Sequence, residues 1–141
     1  MQFVCDASPK TWFRIETEAE ATLEARAMNH AVDKYYHQAH EQAVKSYVPP
    51  KSGRFIESSI GRKAHVQKVM PLFLTLRDGE GKALVTAMLP PGAKDDKSFR
   101  PIIVGIANAD PYSEHSAAIA KLGQHFGLTL DAARCFPYRR G

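Results

Sequence analysis

The sequence predicts an α+β domain: a five-stranded, mainly antiparallel sheet with a long helix and two shorter helices packed on one face. Three observations lead there. Two apolar runs between Pro71 and Leu89 flank an Asp78-Gly-Glu-Gly81 turn, which is a hairpin signature. A stretch of apolar residues at three- and four-residue spacing occupies Thr17 to Tyr47. Only one predicted strand runs directly into a helix, so pairing is expected to be antiparallel rather than by parallel crossovers.

Taken in order, Gln2 to Cys5 and Thr11 to Glu16 read as strands around the turn Asp6-Ala-Ser-Pro-Lys10. In the second, Trp12, Arg14 and Glu16 alternate with Phe13 and Ile15, the period of two of a pleated strand. Thr17 with Glu20 forms a capping box that opens a long helix. Glu18, Glu20 and Glu24 suit its positive end. Its apolar stripe is read as Leu23, Ala27, Met28, Ala31, Val32, Tyr35, Ala39, Ala43 and Tyr47, and Pro49-Pro50 ends it. Residues 54–69 read as a shorter helix, with Ile56, Ile60 and Ala64 inward and Gly61 counting against it by roughly 1 kcal/mol.

The central hairpin comes next, with Gly79 and Gly81 able to take positive φ in its turn. After a polar loop carrying Lys94-Asp-Asp-Lys97, Ile102 to Ile106 reads as a buried strand. Asp110 and Pro111 then start a helix, with Ile119, Leu122 and Phe126 inward and Gly127 as its stop.

A chain of 141 residues suits one domain and buries about 68% of its unfolded surface without metal or disulfide support. No apolar run approaches the roughly 20 residues of a membrane-spanning helix, and Asp6 interrupts the start of any secretory signal, so a cytoplasmic location without membrane contact is expected. Cys5 and Cys135 lack a Cys-x-x-Cys neighbour and are expected to be free thiols.

The net charge of +4 is local. Residues 1–45 carry five Lys/Arg against seven Asp/Glu, whereas residues 46–70 carry five against Glu57 alone. Lys51, Arg54, Arg62, Lys63 and Lys68 are therefore the candidate anion- or nucleic-acid-binding residues, with His65 and Ser58 on the same expected polar face. A solvated helix face is the plain alternative, because Phe55 alone among these charges does not make a platform for stacking bases.

Chemistry-bearing motifs are sparse. His37 and His40 stand three apart on the long helix, but one helix surface rarely supplies a complete ligand set, and no metal or other cofactor is expected. Ser113, His115 and Ser116 are too close in sequence to face one another, and no nucleophile elbow is present. The expected function is a binding or regulatory module without catalytic activity, its partner unknown. The alternatives are a protein using 51–68 on nucleic acid or an acidic protein surface, and an enzyme or small-molecule sensor. The latter would have its pocket between sheet and long helix, where Tyr36, His37, His40 and Glu41 either converge or decorate the surface. A free sheet edge would suit a homodimer.

Overall fold

The computed structural model describes residues 1–49 and 55–135. The five strands β1 (Gln2–Ala7), β2 (Lys10–Arg14), β3 (Leu72–Arg77), β4 (Ala83–Leu89) and β5 (Ile102–Val104) form one antiparallel sheet in simple sequence order. Three helices, α1 (Glu18–Met28), α2 (Val32–Lys45) and α3 (Phe55–Val69), lie between β2 and β3, and α4 (Tyr112–Phe126) comes after the sheet. The α+β class and the five-stranded antiparallel sheet agree with the sequence.

The central turn is chemically explicit. The Asp78 carboxylate accepts the backbone N–H groups of Glu80 and Lys82, each at 2.9 Å, and Gly81 takes the left-handed φ of 83°. Thr17 caps α1 by accepting from the Glu20 N–H at 3.1 Å. The reciprocal bond of the box goes one residue further back, from Glu16 N–H to Glu20 Oε1. Gly127 ends α4 at a φ of 70°.

The expected single helix over 17–47 is two helices. Asn29 adopts the left-handed conformation (φ 52°, ψ 56°), and its N–H closes on the Ala25 carbonyl. Asparagine tolerates this geometry better than any other non-glycine residue, so the chain turns there without proline or glycine. The break shifts the buried face. Leu23 and Tyr35 are exposed, while Glu24, Ala25, Met28, Val32 and Tyr36 are buried.

The helices also occupy both faces of the sheet rather than one. Leu72, Leu74 and Leu76 of β3, with Val85, Ala87 and Leu89 of β4, form one core with Trp12, Ile119 and Leu122, under α4. The Trp12 indole N–H donates to the Ala118 carbonyl at 2.8 Å, which fixes α4 against β2. On the opposite face Phe73 joins Ile15, Ala21, Ala25, Val32, Tyr36 and Ala43 beneath α1 and α2. A strand covered on both sides is apolar at successive positions, and Leu72 to Leu76 is fully buried throughout.

Beneath α1 the sheet face turns polar. Thr75 and Thr86 are directly paired across β3 and β4, and the Glu24 carboxylate reaches Thr86 with no solvent exposure. Glu24 accepts from the Arg77 guanidinium at 2.7 Å and from the Thr86 hydroxyl at 2.5 Å. Thr86 Oγ1 in turn lies 2.9 Å from His30 Nε2, and His30 Nδ1 accepts the Val32 N–H at 3.4 Å. With Nδ1 accepting, Nε2 carries the proton, so donation runs from His30 through Thr86 to Glu24. Burial pushes the His30 pKa down, with Glu24 opposing, which suits a neutral ring in this chain of donors.

Replacing Glu24 by alanine leaves Arg77 and Thr86 without their shared acceptor beneath α1. Removing one partner of such a buried pair is expected to lower unfolding stability by roughly 3 kcal/mol, read from urea denaturation. A loss under about 1 kcal/mol would mean that the network does not hold α1 to the sheet.

Candidate functional site

Tyr36, His40 and Val44 recur every four residues on α2 and so share one helix face. That face and α3 bound a cleft of about 730 Å³, which the end of β2 and residues Ile15 to Thr17 close from the other side. α3 contributes Arg62, Lys63, Val66 and Gln67, and Met70 and Pro71 form part of the wall as the chain enters β3. This volume lies within the range of pockets that enclose small organic ligands.

The ring column that backs the cleft is ordered by packing. The buried Tyr36 ring rests on Phe73 with centroids 5.1 Å apart, and the His40 ring lies nearly parallel to Tyr36 at 6.4 Å. Burial raises the Tyr36 pKa; nearby Arg14 opposes this, while Glu20, Glu18 and Glu16 add to it. Tyr36 therefore stays a neutral phenol at physiological pH.

The electrostatics favour anions. Among the described residues that line the cleft, Arg14, Arg62 and Lys63 stand with Glu16, a formal charge of +2, while Glu20 and Glu18 act on Tyr36 from outside the lining. Arginine presents planar paired donors that fit carboxylate and phosphate oxygens. A cleft with one sign of charge and low-dielectric walls concentrates counter-ions.

Of the residues the sequence singles out, Arg62 and Lys63 stand at this cleft together with Tyr36 and His40. Lys68 is exposed on α3 away from the lining, and Lys51 and Arg54 lie outside the described residues. Three described side chains of α3 sit differently from the expected pattern, Ala64 being exposed rather than inward. Ile60 is 66% exposed rather than inward, and His65 faces α2 rather than the cationic side. His37 and Glu41 decorate the outer surface. His37 lies 2.7 Å from Glu18 and 3.3 Å from Glu41, and these carboxylates raise its pKa. His37 and His40 thus point to different surroundings. Among the described residues no group of three or more His, Cys, Asp or Glu side chains is placed to hold a metal ion.

His115 lies 2.8 Å from Lys10 Nζ, and burial followed by that lysine pushes its pKa down. Cys5 and Cys135 are free thiols whose pKa values burial raises, so both favour the protonated form. Among the described residues, no helix is long and apolar enough to cross a membrane. No protein-family model, curated protein or solved structure matches the chain.

The cleft wall depends on how α3 seats against α2. The Ser46 hydroxyl donates to the Ala43 carbonyl at 2.8 Å and accepts from His65 Nε2 at 2.7 Å, latching the two helices at the end of α2. Next to it the Tyr47 ring packs on His65, and its hydroxyl fills the space that a Cβ on Gly61 would need. Gly61, unfavourable to a helix in isolation, is what allows this approach. Gly61→Ala is therefore expected to forfeit most of the roughly 1 kcal/mol that alanine gains in helix propensity. In a Tyr47→Phe background, which lacks the hydroxyl, that gain should return. Equal changes in melting temperature in both backgrounds would contradict the contact.

Proposed function

We propose that the protein is a non-catalytic binding module that holds a small anionic ligand in the cleft between the sheet and helices α2 and α3. The observation that carries this reading is convergence. Arg14, Arg62 and Lys63 come from β2 and α3 to one cleft of about 730 Å³ that Tyr36 and His40 back from α2. A solvated helix face would require no such convergence. The same convergence favours a small ligand over duplex nucleic acid, because Arg62 and Lys63 face a cleft that Lys68 does not share. The acyl-transfer and metal chemistries weighed from the sequence gain no support among the described residues. His115 is engaged with Lys10, and no metal-ligating cluster is present there.

A thermal-shift screen of small phosphates, carboxylates and sulfates at constant ionic strength tests the proposal. A ligand at one hundred times its dissociation constant is expected to stabilise the fold by about 2.7 kcal/mol. Arg62→Ala/Lys63→Ala removes two exposed side chains and should leave the unliganded melting temperature nearly unchanged while weakening anion binding at least tenfold. Stabilisation by duplex DNA with a steep salt dependence, and none by small anions, would favour the nucleic-acid reading instead.

A further inference from the structure

The cleft has a division of labour that narrows the ligand class. We propose that its ligand is a nucleoside monophosphate, the phosphate lying among Arg62, Lys63 and Arg14 and the base stacking on His40. This inference rests on the anion-binding reading of the cleft. A phosphate monoester carries between −1.5 and −2 at neutral pH, roughly matching the +2 that remains on the walls after Glu16 is set against the three cations. A single carboxylate needs only one arginine fork, so two arginines and a lysine exceed what a simple carboxylic acid would use.

The opposite wall suits a flat aromatic body. His40 is half-buried and lines the cleft; its ring lies nearly parallel to that of Tyr36 with centroids 6.4 Å apart, and the Tyr36 ring packs on Phe73. Side-chain rings of this kind stack on nucleobases.

Further groups match the edges of a nucleoside. Gln2 and Gln67 each offer a donor and an acceptor to a base edge, and the acceptor-only Glu16 carboxylate suits ribose hydroxyls or an exocyclic amine. Gln2 stands opposite Arg14 in the β1–β2 pairing, so the two side chains leave the sheet at neighbouring positions.

Isothermal titration with the four ribonucleoside 5′-monophosphates, adenosine, inorganic phosphate and benzoate, at fixed ionic strength, tests the assignment. At least one monophosphate is expected to bind at least tenfold more tightly than inorganic phosphate, benzoate or adenosine. His40→Ala should remove that margin while leaving inorganic phosphate binding unchanged, and His40→Phe, which keeps a flat ring, should restore it. Arg62→Ala/Lys63→Ala should weaken nucleotide and phosphate together. If phosphate and benzoate bind but no nucleotide binds more tightly, the nucleotide assignment is wrong and the anion site stands. A nucleotide margin unchanged in a folded His40→Ala protein also overturns it. If no anion binds, the anion reading itself fails.

Discussion

Glu24 imposes the strictest physical condition on this fold, because an ionisable carboxylate with no solvent exposure must find compensation for its lost hydration. It finds it in Arg77 at the end of β3 and Thr86 within β4, and Thr86 is tied to His30 at the joint between α1 and α2. The network therefore does more than satisfy one charge. It fixes where α1 crosses the sheet, and through His30 it fixes where α2 departs. Apolar contacts alone would tolerate sliding of an alanine-rich helix over the sheet, whereas directed hydrogen bonds to two strands define one position.

That position sets the geometry of the cleft. With α2 leaving the network at Val32, the face bearing Tyr36 lies on Phe73, and the next turn carries His40 to the cleft. The α2–α3 latch through Ser46, His65, Tyr47 and Gly61 then sets α3 against α2, so Arg62 and Lys63 border the same space as Arg14. The sheet supports this arrangement from its other side, where α4 and the leucines of β3 form a dry core. The proposed anion site thus occupies the irregular side of an otherwise regular scaffold.

Features set by neighbouring residues are legible in the sequence. The Asp78–Gly81 turn, the Thr17 cap and the Gly127 stop all depend on contacts within a few positions, and the strands show in their own residue patterns. The helix break at Asn29 is not legible in the same way, because asparagine is a weaker breaker than glycine or proline. Treating both helices as one then misphases the stripe toward Leu23 and Tyr35. Glu24 looks like a surface charge, since its partners lie 53 and 62 residues away. The two-sided cover of the sheet does leave a signal: Leu72 to Leu76 is apolar at four of five successive positions, which marks a strand buried on both faces. Both halves of the cleft stand out separately, as the basic segment and as Tyr36 with His40. Their juxtaposition depends on α2–α3 packing, and Arg14 reads only as one position in an alternating strand.

Nuclear magnetic resonance of the labelled protein, titrated with inorganic phosphate at constant ionic strength, tests the central proposal most directly. Signals of Arg14, Tyr36, His40, Arg62 and Lys63 should shift together along one saturable curve, with the far side of the sheet around Leu122 unmoved. Small, non-saturating shifts spread over exposed lysines such as Lys68, Lys94 and Lys97, with the cleft silent, would contradict it.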